Sequence, residues 1–255
     1  MEILVCVKRI PVPGARFMLT EDGREIVTRN LGFTISPHEE CAVEAAVQMV
    51  EQRGGRSTVL TMGEEVAGDQ LRFAISMGVN EAILIESDGE RDATAIAEAI
   101  VDTIRAEQAA GVQFDVLLFG NESADAGNYQ VGVRVAYGLN LPCVTGVKAL
   151  DIQANGTAVA KREIAEGWEV YELALPAVFT VKEGINLPRY PLLRGRLAAK
   201  RKEIKTYPAL DSGEAGLEMV VFKTPPEVAS QVQVVGKGPG AAQKVAKLMQ
   251  EIGVL

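Results

Sequence analysis

Histidine is almost missing from this chain: His38 is the only one. A Ser-His-Asp or Cys-His arrangement would have to rest on that one ring, and a histidine metal cluster could not form, which counts against a hydrolase or a metalloenzyme. Tryptophan is also single, Trp168, and aromatic residues make up only 5%. The three cysteines, Cys6, Cys41 and Cys143, are far apart in apolar surroundings. They make neither a disulfide framework nor a CxxC metal pair, so a reducing, cytoplasmic setting is expected. No apolar run approaches membrane-spanning length, and direct membrane insertion is not expected. The chain opens on strand-like residues, MEILVCVK, where no targeting peptide is read.

Positive charge is scarce overall, with a net charge of −8, and nucleic acid is excluded as a partner because phosphate binding wants a basic face. Seven of the 26 lysines and arginines fall within 189–205. Arg189, Arg194, Arg196, Lys200, Arg201, Lys202 and Lys205 face the single acid Glu203, a basic island in an acidic chain. Neither G-x-G-x-x-G nor G-x-x-x-x-G-K-S/T occurs as a phosphate signature.

What is present reads as α/β. With 255 residues, 47% of them hydrophobic, the chain has ample core for one large domain. Glu2–Val7, Ser57–Met62, Glu81–Ile85 and Asp115–Phe119 are short apolar runs of the kind buried in a parallel sheet. Helical stretches alternate with them. The first opens at Ser36-Pro37-His38-Glu39-Glu40, with Ser36 as N-cap, and runs to Gly54-Gly55. Others span Glu65–Met77, Asp92–Gln108 and Tyr129–Gly138. Asp22-Gly23 marks a hairpin. The expected fold is a doubly wound, mainly parallel sheet. Val147–Ile152, Ala158–Ile164, Trp168–Leu175 and Ala177–Lys182 are read as an added antiparallel section, turning at Asn155-Gly156 and Glu166-Gly167. Residues 1–205 form this domain. Residues 206–255, rich in glycine and proline and ending in an amphipathic helix, form an extended C-terminal arm suited to lie on a partner subunit.

Two stretches carry functional information. In such sheets ligands bind beyond the carboxyl ends of the strands. Three ends converge in that sense: Cys6 after the first strand, the helix start Ser36, Pro37, His38 and Glu39, and the loop Gly120, Asn121, Glu122, Ser123, Ala124, Asp125, Ala126, Gly127, Asn128, Tyr129, Gln130 and Val131. Met62 ends the second strand beside them. The loop's glycines allow close backbone approach, and its small polar side chains can donate to phosphate. The other stretch, VKEGINLPRYPLLRGRLAAKRKEIK over 181–205, sets Pro188 and Pro191 in a segment that can be neither central strand nor helix interior. Tyr190, Leu192, Leu193 and Leu197 sit there among the cations Arg189, Arg194 and Arg196, which reads as a docking surface over 184–202.

These motifs together resemble the electron transfer flavoprotein β subunit. The 181–205 run is similar to that family's recognition loop at Asn186, Pro188, Arg189, Tyr190, Leu193, Ala199, Lys200 and Ile204. Val7-Lys8-Arg9 matches its N-terminal VKR, and Ser36–Glu44 its N-P-F-D/C-E-x-A-V/L-E. Its nucleotide loop, G-x-Q-x-x-D-x-D-x-x-Q-x-G, is matched at Gly120, Asp125, Gln130 and Gly132. Two departures stand in the loop, Glu122 for Gln and Gly127 for Asp, and His38 replaces the Phe that lies near the flavin in that family. A carboxylate at 122 would repel a phosphate unless it were hydrogen-bonded elsewhere.

The resemblance implies an electron carrier subunit rather than an enzyme. Its implied partner is an α subunit, with which it shares one FAD, while this chain binds a structural AMP. Electrons would come from acyl-CoA or related flavin dehydrogenases docked on Leu193 and leave to a quinone oxidoreductase. Two other readings stay open. One is the electron-bifurcating branch, with a second FAD in place of AMP, whose Gly-Ala-Asp-Thr-like loop is matched only in part at Glu90–Thr94. The other is a flavin-free adenine-nucleotide-binding protein, which leaves the 184–202 segment unexplained.

Overall fold

The computed structural model describes residues 1–89, 91–209, 217, 220–226 and 232–255. Glu90 and the glycines at 213 and 216 therefore lie outside the described residues. Strand β1 (Glu2–Cys6) alternates between two cores. Ile3 and Val5 face one apolar cluster, Leu4 and Cys6 the other, as the two-residue period of a strand covered on both faces requires. The segment after it carries β2 (Ile10–Pro11) and β3 (Phe33–Thr34), a small antiparallel pair, with the expected turn at Gly23 in the left-handed region.

Helix α1 (Pro37–Arg53) starts as its sequence demands. Ser36 Oγ accepts from Glu39 N, and Ser36 N donates back to the Glu39 carboxylate, a complete capping box with Pro37 in the first turn. There follow β4 (Arg56–Gly63), α2 (Gly68–Met77), β5 (Glu81–Glu86), α3 (Ala93–Ala109), β6 (Val116–Gly120) and α4 (Val131–Leu139). Helices α1 and α2 cover one face of the sheet; α3 and α4 cover the other. This is the doubly wound arrangement expected.

The chain then forms β7 (Cys143–Ile152), β8 (Thr157–Ile164), β9 (Gly167–Ala174) and β10 (Ala177–Val181). The nine-stranded sheet, completed by β11 (Lys205–Pro208), has the order β11-β5-β4-β1-β6-β10-β7-β8-β9. One expectation is corrected here. Strand β10 does not belong to the antiparallel section; it returns to the middle of the sheet and pairs parallel with β6 and with the first half of β7. All five of its residues are buried, as a strand covered on both faces must be. The antiparallel section is β7-β8-β9 alone. Strand β7 serves both parts, turning from parallel to antiparallel pairing past a register shift, with Gly146 at φ +69 just before it.

Helix α5 (Leu193–Arg201) packs on α2, and β11 carries the sheet three residues beyond 205 along the free edge of β5. The last helix, α6 (Ala241–Glu251), has no buried residue; Val245, Leu248 and Ile252 are all exposed. Among the described residues no helix is long and apolar enough to cross a membrane.

Candidate functional site

Beyond the carboxyl ends of β1 and β6, the start of α1 is pressed onto the end of β6. A Cβ on Gly120 would lie 2.7 Å from Glu39 Cγ, so the approach requires glycine. Ser36 is wholly buried and Glu39 nearly so. The Glu39 carboxylate accepts from Ser36 N on one oxygen and from Lys8 N on the other, both at 2.8 Å. Burial nevertheless dominates and pushes this acid up to about 7, against those hydrogen bonds and the nearby Lys8 charge. Cys6 turns its thiol into the α3–α4 core, where burial pushes its pKa far up. Met62, near the end of β4, packs against that same core.

The loop from Gly120 to Val131 divides into a tied part and an open part. Asn121 is buried and structural: its amide oxygen accepts from Thr180 Oγ1 at 2.9 Å, linking β6 to β10. Glu122, the residue that raised the question of repulsion, is engaged. Its carboxylate lies 3.3 Å from His38 Nε2, and it also accepts from the Tyr129 phenol, which holds that phenol above its ordinary value. His38 Nδ1 in turn accepts from Glu183 N at 2.8 Å, so the ring proton of this tautomer sits on Nε2, facing Glu122. The two departures at His38 and Glu122 therefore meet and satisfy each other. Asp125 pairs with Lys8 Nζ at 2.6 Å, and its other oxygen accepts from Ala126 N.

Ser123 closes a turn by accepting from Gly127 N, and Gly127 takes φ +58. Ala124, Ala126, Asn128, Tyr129 and Gln130 are exposed. Tyr129 holds φ 57, a left-handed conformation that a bulky residue adopts at a cost of order 1 kcal/mol or more. It turns the chain into α4. Gln130 is the N-cap of that helix but offers it no side-chain cap, because its amide oxygen accepts from Arg134 instead. No acid occupies the first turn from Val131. The leading amides of α4 are thus left without a side-chain acceptor, a donor set suited to an anion. Lys8 is the member of this cleft missing from the residues singled out by sequence; its position directly after the first strand, in the VKR motif, was the available signal.

The residues expected to form a docking surface fall on the flank of α1 and on α5. Leu187 is 89% exposed, Tyr190 92% and Leu193 74%, with Leu192 and Leu197 also open. Arg194 and Arg196 are exposed among them. Pro188 is half-buried. Leu193 lies not on the loop itself but at the first turn of α5. Arg189 corrects the picture of a uniformly solvent-facing basic rim: its guanidinium is bound to Glu44 and Glu51 within the chain. A separate cavity of about 320 Å³ lies between Arg9, Phe33, Ile35, Gln70 and Phe73. Arg9 stacks on Phe33 there, and this cavity contains none of the cleft residues.

The family model described as "Electron transfer flavoprotein domain" matches residues 25–212. An "Electron transfer flavoprotein subunit beta" of Syntrophomonas wolfei is 34% identical over 251 residues, covering 98% of this chain and 96% of that protein. The protein of that name from Bacillus subtilis is 35% identical over 191 residues, 73% of this chain and 69% of its own length. The one from Mycobacterium tuberculosis is 30% identical over 263 residues, 98% of both chains.

Proposed function

We infer a function from one established premise: this chain belongs to the electron transfer flavoprotein family, as a β subunit. We propose that it works as a heterodimer with an α subunit, that the pair encloses one FAD, and that this chain alone holds a structural AMP. When bound, the flavin supplies the redox chemistry, accepting electrons from a donor dehydrogenase and yielding them to an acceptor. The donors proposed are acyl-CoA or related flavin dehydrogenases, and the acceptor a quinone oxidoreductase. The chain is a carrier subunit with no catalytic step of its own.

The observation that carries the AMP reading is the start of α4: a helix with no side-chain cap and no first-turn acid, entered through a glycine-containing loop. Its amides would take the phosphate; Lys8, paired with Asp125, adds no net charge there. Glu122 does not stand against this, because His38 and Tyr129 already engage its carboxylate. Ser36 and Glu39 are spent on each other in the capping box, so α1 contributes shape and backbone more than free side chains. Cys6 and Met62 pack into the α3–α4 core and support the floor of the site without offering it side-chain contact. The exposed Leu193 row would dock the dehydrogenase, as one apolar anchor with a charged rim. Such small contacts bind weakly and release quickly, which a shuttle requires.

Acid extraction of the purified heterodimer, with chromatographic identification of the released nucleotides, tests this. One FAD and one AMP per heterodimer is the expected result. Two FAD and no AMP would replace the reading with a bifurcating one; AMP without any flavin would replace it with a flavin-free nucleotide-binding protein.

A further inference from the structure

Residues 183–193 lie along α1 with a period of three. His38 Nδ1 accepts from Glu183 N; Cys41 O accepts from Asn186 Nδ2 at 2.9 Å; Glu44 accepts from Arg189. Each rung joins residues 145 apart, so helix and segment run side by side in one register. The phase one step further, Leu187, Tyr190 and Leu193, points to solvent. The third phase, Ile185, Pro188 and Pro191, is half-buried between them. The segment opens in a turn at Gly184, φ +93, and is extended where it enters α5, Leu192 standing at φ −73 and ψ 154.

Arg189 is the strongest rung. Its backbone N and its Nε both donate to Glu44 Oε2, at 3.1 and 2.8 Å, and Nη2 donates to Glu44 Oε1 at 3.0 Å. Nη1 and Nη2 also reach the two oxygens of Glu51, at 2.6 and 2.8 Å. The Glu44 side chain is only 3% exposed, so this fork neutralises a buried carboxylate in planar, two-sided geometry that lysine does not reproduce. The far end of the ribbon is held separately. Helix α5 rests on α2 so closely that a Cβ on Gly195 would lie 2.5 Å from Ser76 O, and Arg72 Nη1 donates to Ala199 O at 2.7 Å.

We infer that Arg189 is a positioning residue, fixing a ribbon on α1 so that Leu187, Tyr190 and Leu193 meet the partner dehydrogenase as one apolar row. It does not itself touch the partner. The partner surface that fits is an apolar groove wide enough for three side chains, edged by carboxylates facing Arg194 and Arg196. This rests on the docking reading given above. A ribbon held in its bound shape before encounter loses less conformational freedom on docking.

The test uses the flavin-loaded heterodimer and an acyl-CoA dehydrogenase that reduces the wild type, with stopped-flow flavin reduction followed against dehydrogenase concentration. Arg189→Lys should raise the half-saturating concentration by about tenfold while leaving the limiting rate and flavin spectrum near wild type. The paired variant Arg189→Leu with Glu44→Leu, which orphans neither charge, should do the same. Leu187→Ala and Tyr190→Ala should each raise half-saturation. In a Leu193→Ala background Arg189→Lys should add less than about twofold, because both act through one row. Hydrogen exchange over 184–192 should speed up in Arg189→Lys. If Leu193→Ala weakens docking and Arg189→Lys does not, or if the two effects add in full, the positioning role is overturned. Wild-type half-saturation in Leu193→Ala itself would overturn the docking reading, and this role with it.

Discussion

The cleft at the start of α1 and the ribbon along its flank use one helix in opposite ways. In the cleft, side chains satisfy one another: Ser36 with Glu39, His38 with Glu122, Lys8 with Asp125. What is left over is backbone, the leading amides of α4. Along the flank the charges satisfy one another, Arg189 with Glu44 and Glu51, and what is left over is carbon, at Leu187, Tyr190 and Leu193. The first kind of surface suits a small anion, because unsatisfied donors in a fixed nest repay binding only to an acceptor. The second suits a protein that comes and goes. A site can thus be recognised by which class of group its own neighbours fail to satisfy.

The largest expected effect tests the buried acid of the cleft. Burial lifts Glu39 from 4.5 to about 7, so the folded chain keeps a proton that the unfolded chain has released between those values. The stability this group contributes is full below about pH 4.5 and is lost as pH rises through about 7, amounting to about 3 kcal/mol. Denaturant midpoints of wild type and Glu39→Gln at pH 5 and pH 8 read it directly. The wild type should lose stability on going to pH 8 and the variant much less; equal slopes would mean that the Ser36 and Lys8 hydrogen bonds outweigh burial.

Next in size is the ribbon's anchor. Leu193→Ala should leave nucleotide, flavin and melting temperature unchanged, because the side chain is exposed, and should weaken dehydrogenase binding by about 1.5–3 kcal/mol, roughly ten- to a hundredfold. Calorimetric titration of the heterodimer with the dehydrogenase checks this. Loss of nucleotide in the same variant would dissolve the distinction between the two surfaces.

Gly120→Ala is the reciprocal probe. Its Cβ meets a Glu39 side chain held by hydrogen bonds, an overpacking that costs about 1–3 kcal/mol, and the purified heterodimer should retain less AMP while docking stays normal. The smallest effect is reserved for the rim. Neutralising Arg194 and Arg196 should slow association a few-fold at low salt and flatten its salt dependence, with dissociation unchanged. A change in dissociation instead would place them in the apolar contact.

Much of this was legible in advance because it is local. Ser36, Pro37 and Glu39 announce the capped start of α1 through a spacing that closes within one turn. The prolines and leucines of 187–193 announce an exposed segment. The place of β10 was missed, although its unbroken run Ala177–Val181 differs from the alternating burial of β9 in just the way that a central strand differs from an edge one. Strand order depends on which neighbours close the sheet, and no local run specifies that. Arg189 was read as a rim cation for a related reason: its partners Glu44 and Glu51 stand 145 and 138 residues away.

The sequence alone therefore determined the secondary elements, the doubly wound class, the capped start of α1 and the exposure of the 187–193 segment. Each follows from side-chain period, capping chemistry and backbone restriction within a few neighbouring residues. Only the tertiary structure decided which polar groups are free. It paired His38 with Glu122, gave Lys8 to Asp125, and spent Arg189 on a buried carboxylate. A charge becomes available or silent according to what folding brings within hydrogen-bond reach, and that distance is set by the packing of elements far apart in the chain.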